Sequence, residues 1–547
     1  MVMASSDRYI QPNSHQLEER VSELSLLVVR LTQQVADQTE VISSLRSENQ
    51  LLRDEVARLK GQKGKPTIKP SHLAKEPKGS AKGRGEKISH ERRGGKKLKI
   101  DEIRTLKVKA LKGSRFLGYV NYDVQDLVIT PRTVRYRRER WQLADGGVLV
   151  AALPDDVSGS HFGADLRRFL MYQHHHARLP QARLLEQVRE FGVVISAGQI
   201  DAILQKEAGQ LSAERTAMFM AGITHSPFIQ VDDTGARHQG RNGYCTHIGN
   251  PCFAAFFSTQ SKSRANFLNL LGGGGWVYRV DQITIKRMLA TELSQHTTAT
   301  IFLIPLQKAN NVPMVFSQRK WLRHLKRCGL SEREQAIASE AALYATARTL
   351  IPRYMVIVSD DAGQFHVLNH GLCWVHAERK IHQLIPGSDE HRDHQERVRN
   401  QIWKFYDALK HYKKAPKNYM AHRLRLRFGD IFTQVTGYRP LDEALKRIHA
   451  NQKELLLVLD RPEIPLHNNE SERDLREYVI RRKISSGTRS TTGREARDIM
   501  ISLMKTCRKV GVSFFAYLGD RLKKTNLIPP LANLVAKECG KLGPARC

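Results

Sequence analysis

The sequence has few cysteines and no long apolar run. Its seven Cys residues are scattered over 547 positions, and no two of them form a Cys-x-x-Cys pair. This spacing argues against a zinc knuckle and favours free thiols in a reducing compartment. No run of about 20 apolar residues and no signal-peptide pattern occurs, so neither a membrane-spanning nor a secreted protein is expected. We therefore expect a cytoplasmic location.

Acidic residues are scarce relative to basic ones. The chain has 55 Asp and Glu residues against 88 Lys and Arg residues, and its formal net charge is +33. A charge excess of this size indicates a polyanionic partner, and nucleic acid is the usual one. The length suffices for about three or four domains, and a hydrophobic content of 41% supports at least one large core.

The N-terminal region shows a heptad repeat. Residues 1–16 are expected to be disordered, and residues 17–60 then alternate apolar positions at spacings of four and three. One row is Val21, Val28, Val35, Ile42, Asn49 and Val56; the other is Leu17, Leu24, Leu31, Gln38, Leu45, Leu52 and Leu59. This pattern predicts a parallel dimeric coiled coil, in which Asn49 would fix the register. An amphipathic helix that packs on its own chain is the alternative.

Three further regions precede the main core. Residues 61–100 are rich in Lys, Arg, Gly and Pro and are expected to form a basic flexible linker. Residues 101–155 are predicted to form a small β unit, with strands at 119–129 and 133–141. Residues 160–210 show a helix, a Gly-containing turn and a second helix with Ser196 as N-cap, which predicts a helix-turn-helix-like DNA-binding domain or, equally, plain helical packing.

Carboxylates end two predicted strands and begin one predicted helix. The strands are Phe228-Ile-Gln-Val-Asp-Asp-Thr234 and Tyr354-Met-Val-Ile-Val-Ser-Asp-Asp-Ala-Gly363, and the helix follows Leu466-His-Asn-Asn-Glu-Ser-Glu-Arg-Asp-Leu-Arg476. Asn468 and Asn469 are expected to cap this helix, and Glu472 is expected to point inward on the face of Leu475. Mg²⁺ takes carboxylate oxygens, and two such ions about 3.5–4 Å apart can clamp both oxygens of an in-line phosphodiester displacement. Solvated acids at loop and helix ends are the alternative.

The same residues resemble a known family. The C-terminal signature of the insertion-sequence-66 transposases runs Asp-Asn-Asn-x-x-Glu-Arg-x-Leu-Arg, and this chain is similar to it over 467–476, with His467 in place of the first Asp. A Cys-Trp-x-His-x-x-Arg-Lys segment follows the family's second acid, and residues 373–380 fit it. The resemblance covers roughly residues 105–525. Many relatives carry a Cys-ligated zinc module near 105–150, but this chain has no Cys before Cys245, so zinc is not expected.

The resemblance implies a fold and a catalytic triad. The expected fold class is multidomain α/β: the coiled coil, the small β unit, the helix-turn-helix-like domain and a ribonuclease-H-like catalytic core over 225–525. Within the core, strands near 228–233, 243–249 and 252–258 are expected to form a meander, joined by the strand that ends at Asp360 and by a strand at 372–376. Helical insertions are expected at about 262–350 and 380–460, and residues 526–547 are expected to form a C-terminal tail. The implied catalytic and metal-binding residues are Asp232, Asp360 and Glu472, which would hold two Mg²⁺ ions, with Mn²⁺ as a possible substitute. The choice between Asp232 and Asp233, and between Asp360 and Asp361, rests on the resemblance.

The resemblance also implies partners. The expected enzyme is a Mg-dependent DDE transposase in the bacterial nucleoid, and its expected substrate is double-stranded DNA at both the element ends and the target. The heptad repeat adds the expectation of a homodimer or higher oligomer joined through residues 17–59. Small accessory proteins of the same element are further expected partners, and no membrane is. The expected DNA-binding residues are Arg379, Lys380, Arg473, Arg476, Arg481, Arg482, Lys483, Arg489 and Arg494. A catalytically inactive DNA-binding regulator and a structure-specific nuclease of the same fold are the rival interpretations.

Overall fold

The computed structural model describes residues 100–543, except 108–113, 118, 155–156, 158 and 292, together with a few positions between 22 and 38. The predicted disordered start, coiled coil and basic linker therefore lie almost entirely outside the described residues. The chain divides into two units, Met1–Val124 and Gln125–Cys547. In the first unit, the described positions between 22 and 38 are helical, and those from 100 to 124 form neither helix nor strand.

The small β unit is smaller than predicted. Its strands are β1 (Arg140–Gln142) and β2 (Val148–Val150), which pair antiparallel. The prediction of a strand over 119–129 is wrong, because among the described residues this segment pairs with no strand and its side chains are exposed. Period-two alternation alone does not make a strand when no neighbour accepts its backbone hydrogen bonds.

Four helices form a layer before the main sheet: α1 (Ala164–His175), α2 (Gln181–Glu190), α3 (Ala197–Gln210) and α4 (Ser212–His225). Ser196 caps α3 in a capping box with Gln199, as predicted, because each side chain bonds the other's backbone N–H. The helix-turn-helix layout is present. The inward face of α3, including Ile200 and Leu204, belongs to the main hydrophobic core.

Three antiparallel strands follow as a meander, as predicted. They are β3 (Phe228–His238), β4 (Arg241–Asn250) and β5 (Phe253–Thr259). β5 is apolar and its first five residues are all buried, which is typical of a strand that is covered on both faces.

The first insertion separates the meander from the rest of the sheet. It contains a two-stranded ribbon, β6 (Val277–Val280) and β7 (Met314–Ser317), surrounded by helices. The helices are α5 (Arg264–Leu271), α6 (Gln282–Leu289), α7 (Gln295–Thr298), α8 (Ile304–Lys308), α9 (Gln318–Arg327) and α10 (Glu332–Leu350).

Two parallel strands then complete the sheet: β8 (Val356–Ser359) and β9 (Asn369–Leu372). The strand order is β5-β4-β3-β8-β9, with β3, β8 and β9 parallel. The prediction of a strand over 372–376 is wrong, because a helix, α11 (Trp374–His382), begins there. The buried Trp374 donates its backbone N–H to Leu466 and its indole N–H to Leu455, both at 3.0 Å, which fixes this turn into the helix.

The second insertion is helical and has its own core. Its helices are α12 (Asp389–Lys414), α13 (Asn418–Phe432), α14 (Arg439–Ala450) and α15 (Gln452–Leu455). Their apolar faces meet around Trp374, Phe405 and Phe428. The chain then returns to the sheet as α16 (Asn469–Ser485) and α17 (Thr491–Lys509), and ends with α18 (Phe514–Lys523) and α19 (Leu531–Cys539). The mixed α/β class is confirmed. Among the described residues no helix is long and apolar enough to cross a membrane.

Candidate active site

Two of the predicted acids lie just beyond the paired parts of neighbouring parallel strands, Asp232 within β3 and Asp360 directly after β8. β3 and β8 pair in parallel from Phe228 opposite Val356 to Gln230 opposite Val358. Asp232 and Asp360 each lie two residues beyond the last of these pairs. Since parallel strands advance together at about 3.3 Å per residue, this register brings the two acids side by side at the carboxyl end of the sheet.

The start of α16 is fixed next to the first acid. The Asn468 side-chain amide donates to the carbonyl oxygen of Val231 at 2.8 Å, directly before Asp232. The Gln230 amide donates to His467 O at 2.9 Å and accepts from Glu470 N at 3.2 Å. Glu472 lies one helical turn after Asn468. These bonds between β3 and the start of α16 bring Glu472 to the same end of the sheet as Asp232.

This use of Asn468 corrects an expectation from the sequence. Its side chain makes no capping bond to α16, because its amide group bonds β3 instead. Its backbone N–H also donates to Cys373 Sγ at 3.3 Å. Asn468 therefore joins the helix to the strand of the first acid and to the turn before α11.

α11 forms the third wall of the site. The Nε2 atom of His376 lies 3.4 Å from Glu472 Oε1, and a guanidinium nitrogen of Arg379 lies 3.8 Å from the same oxygen. The Glu472 side chain is one-third exposed, so it lies at the rim of the buried face of α16, less deep than predicted. That face is formed by Ser471, Asp474, Leu475, Glu477, Tyr478 and Arg481.

The neighbours of Asp232 include the other predicted acids. The pKa of Asp232 is raised to about 7, chiefly by burial and also by the nearby charges of Asp360, Asp233 and Glu472, against a backbone hydrogen bond from Asp233. Like charges raise a carboxyl pKa only when they are close. The site therefore concentrates negative charge that a bound cation would neutralise.

The partners of each acid pair distinguish its two members. Asp233 accepts from the Gln364 amide at 3.0 Å, and Asp361 lies 3.3 Å from His366 and is paired with Lys380. Asp232 accepts from Asp233 N at 2.8 Å, and Asp360 from Ala362 N at 3.2 Å. Within the described part of the chain, neither Asp232 nor Asp360 forms an ion pair. This difference favours Asp232 and Asp360 as the members that are free to bind a cation.

Metal-ligating side chains are not clustered tightly here. Over the residues that the structure describes, no three His, Cys, Asp or Glu side chains stand close enough to hold a metal ion. The carboxylate of Glu472 contacts His376 and Arg379, on α11. The oxygen donors match the preference of Mg²⁺, but a shared ion would require these side chains to draw together.

Sequence reasoning missed a buried acid on the same helix. Asp474 is 4% exposed and lies close to three basic side chains: Lys509 at 2.9 Å, His247 at 3.2 Å and Lys505 at 3.4 Å. Burial alone would raise the pKa of Asp474, but His247 and the two lysines hold it well below its usual range. A signal was available, since Lys505 and Lys509 lie one helical turn apart directly after the largely apolar stretch 499–504.

The predicted DNA-binding residues differ in exposure. Exposed side chains belong to Arg379, Lys380, Arg473, Arg476, Lys483 and Arg489, and half-buried ones to Arg482 and Arg494. The prediction for Arg481 is wrong, because its side chain is 6% exposed. Its guanidinium donates to the carbonyl oxygens of His174 at 2.6 Å and His175 at 3.5 Å, so it joins α16 to α1 and does not face solvent.

Comparisons with known proteins identify relatives of this chain. The family model described as "Transposase IS66 family" matches residues 353–496, a stretch that contains Asp360, α11 and Glu472. An uncharacterized protein, y4jO, of Sinorhizobium fredii (strain NBRC 101917 / NGR234) is 43% identical over 324 residues, which cover 58% of this chain and 99% of that relative. The chain belongs to the IS66 family of transposases.

Proposed function

We propose that this chain is a DDE transposase, which cleaves phosphodiester bonds at the ends of an insertion sequence and joins the freed 3′-OH ends to target DNA. The observation that carries the proposal is the parallel register of β3 and β8 next to Asp232 and Asp360, together with the bond that holds the start of the Glu472 helix against β3. The antiparallel meander extended by two parallel strands supports a ribonuclease-H-like core. The positive charge of the chain supports DNA as the substrate.

The three acids fit hard divalent ions. The residues that would hold two Mg²⁺ ions, or Mn²⁺ in their place, are Asp232, Asp360 and Glu472. Bound there, the metal supplies activation of a water molecule and stabilisation of the charge that develops on the phosphate oxygens. The raised pKa of Asp232 supports this assignment, because an excess of buried negative charge is costly without a cation.

The protein's own residues orient the site. Asn468 and Gln230 hold the start of α16 against β3, and His376 and Arg379 hold the Glu472 carboxylate from the other side. The exposed Arg473 and Arg476 lie within one turn of Glu472 along α16 and can neutralise DNA phosphates. These contacts hold the start of α16 against β3, and the three carboxylates would still draw together on a shared ion.

The proposed reaction has two in-line displacements. In the first, a water oxygen bonds the phosphorus at the element end, the bond from phosphorus to O3′ breaks, and the 3′-oxygen leaves as a hydroxyl. In the second, that 3′-OH bonds a phosphorus of the target, and the target's own 3′-oxygen leaves. No covalent bond to the protein is required.

The proposal also includes partners and a location. These are a dimer through residues 17–59, accessory proteins of the element and the nucleoid.

Joining of a labelled duplex to a plasmid in Mg²⁺ tests the proposal. We expect Glu472→Gln to reduce cutting and joining by at least about a thousandfold, because removal of a metal ligand costs several kcal/mol of transition-state stabilisation. DNA binding should stay nearly intact. Glu470→Gln is a matched control on the same helical turn and should keep its activity.

Three outcomes would contradict the proposal. Loss of DNA binding in Glu472→Gln would make Glu472 a structural residue. Cutting without joining would indicate a structure-specific nuclease. If the unaltered protein neither cuts nor joins in Mg²⁺ or Mn²⁺, the chain is a DNA-binding regulator.

A further inference from the structure

The hairpin of β3 and β4 extends well beyond the acids. The two strands stay paired from Gln230 opposite Gly249 to His238 opposite Arg241, and the turn lies at Gln239 and Gly240. Arg237 is five residues beyond Asp232 on the same strand, which corresponds to roughly 17 Å at about 3.3 Å per residue. One segment of duplex can therefore reach both the acids and the hairpin tip.

The loop between α16 and α17 is joined to this tip. Thr488 N donates to Arg237 O at 3.0 Å, and Gln239 N donates to Thr488 O at 2.8 Å. The Thr488 hydroxyl also lies 2.9 Å from His238 Nδ1. The loop and the hairpin therefore form one structure through backbone bonds, although some 250 residues separate them in the chain.

Gly487 is required for this close approach. A Cβ atom at Gly487 would lie 2.5 Å from the carbonyl oxygen of Arg237, which is well inside van der Waals contact. Because the obstacle is backbone, a rotamer change cannot relieve it. Glycine at position 487 therefore allows the loop to lie this close to the hairpin.

The combined structure carries positive charge without compensation. Residues 234–246 and 482–494 contain no Asp or Glu. Arg237, Arg241, Lys483 and Arg489 are exposed, and within the described part of the chain none of them forms an ion pair. Elsewhere on the surface, exposed basic residues commonly have acidic partners: Arg425 pairs with Asp460 at 2.6 Å and Arg439 with Glu443 at 3.0 Å.

We propose that this hairpin–loop surface, formed by residues 235–241 and 486–494 with Lys483, binds the phosphate backbone of the duplex beside the cleaved bond. The inference rests on the proposed function for the identity of the bond, but the binding itself requires no catalysis. Arg237 and Arg241 of the hairpin thereby become DNA contacts in addition to those expected from α16 and the following loop. Contacts to phosphates orient the duplex and carry no sequence preference.

The test is the salt dependence of DNA binding by the full-length protein. The probe is a fluorescein-labelled linear duplex of random sequence in EDTA, so no cleavage occurs. We expect the double variant Arg241→Gln/Arg489→Gln to make the slope of log binding constant against log salt concentration less steep by about 2, because each lost phosphate contact removes about 0.9 from the magnitude of the slope. The matched control is Arg425→Gln/Arg439→Gln, which removes two exposed arginines that have acidic partners.

Two results are decisive. A reduced slope in the first double variant, with the control at the wild-type value and both melting temperatures unchanged, supports the surface. Equal slopes in the first double variant and the wild type would overturn it. Because the assay contains no divalent metal, failure of the catalytic proposal in the Glu472→Gln experiment leaves this result unaffected, and the reverse also holds.

Discussion

Glu472 and Asp474 lie two residues apart on α16, but they face opposite electrostatic surroundings. Asp474 is buried among Lys505, Lys509 and His247, and its pKa is held low. Glu472 belongs to a region where acids accumulate and where burial and like charges raise the pKa of Asp232 to about 7. The lysines balance the first cluster. In the second, Glu472 faces His376 and Arg379, but within the described part of the chain Asp232 and Asp360 form no ion pair, so this cluster is left largely unbalanced. The imbalance distinguishes an acid that holds the fold from acids that the proposed function assigns to a bound cation.

The largest expected effect comes from breaking the balanced cluster. Asp474→Ala should reduce the free energy of unfolding by about 3–5 kcal/mol, because it leaves the buried cations without their counter-charge. Urea unfolding followed by circular dichroism measures this loss. Arg473→Ala, on an exposed neighbour, should change stability by less than about 1 kcal/mol and is the control. A small loss in Asp474→Ala would mean that the cluster contributes little to the fold.

The balanced cluster also predicts the direction of acid sensitivity. Because the pKa of Asp474 is lower in the folded protein than in the unfolded chain, its contribution to stability is present above about pH 4 and is lost as the pH falls below that value. Thermal melts of Asp474→Asn and wild type between neutral and strongly acidic pH test this. The difference in melting temperature should narrow on acidification, and a constant difference would contradict the assignment.

Removal of one acid from the unbalanced cluster should raise the free energy of unfolding, whereas removal of Asp474 lowers it. Asp232→Asn should stabilise the protein by about 1–3 kcal/mol at pH 8, because it removes a buried charge that is repelled by its neighbours. The gain should shrink as the pH falls from about 7 and should vanish below about pH 4. There Asp232 of the wild type binds its proton, and stability falls as the pH rises through the window from about 4 to about 7. Destabilisation at pH 8 would show that Asp232 is already compensated.

A smaller effect should come from filling the site. At a Mg²⁺ concentration ten times its dissociation constant, binding should stabilise the wild type by about 1.4 kcal/mol. The effect should be larger at pH 8 than at pH 6, since metal binding requires deprotonated carboxylates. Calorimetric melts with and without EDTA measure it, with Glu472→Gln as the variant that should not respond. Equal stabilisation of both proteins would place the binding of Mg²⁺ elsewhere.

Much of the sheet and the position of its acids could be predicted from local pattern. Apolar runs that end in Asp-Asp identify β3 and β8, and their order along the chain indicates that the acids could meet. The predictions of secondary structure that failed depended on partners that are distant in the sequence. The alternation over 119–129 lacks a neighbouring strand, and Trp374 starts a helix because Leu466 and Leu455 accept its N–H groups.

The side-chain roles on α16 were harder to predict for the same reason. Helical spacing predicts which face of α16 carries Arg481, but not that this face is buried. It is buried because the guanidinium of Arg481 donates to carbonyl groups of α1. Asn468 precedes a helix in the pattern of a cap, but the nearby carbonyl of Val231 takes its amide. Both partners lie more than 200 residues away in the sequence, so no local window contains them.

The order of the three acids along the chain has a consequence for synthesis. Asp232 and Asp360 come from strands that a long insertion separates, and Glu472 arrives only with α16, after a second insertion. A growing chain leaves the ribosome N-terminal end first. The region over 160–210 that is predicted to bind DNA is thus made well before the last acid, and on the proposed function a nascent or truncated polypeptide would hold DNA without being able to cut it.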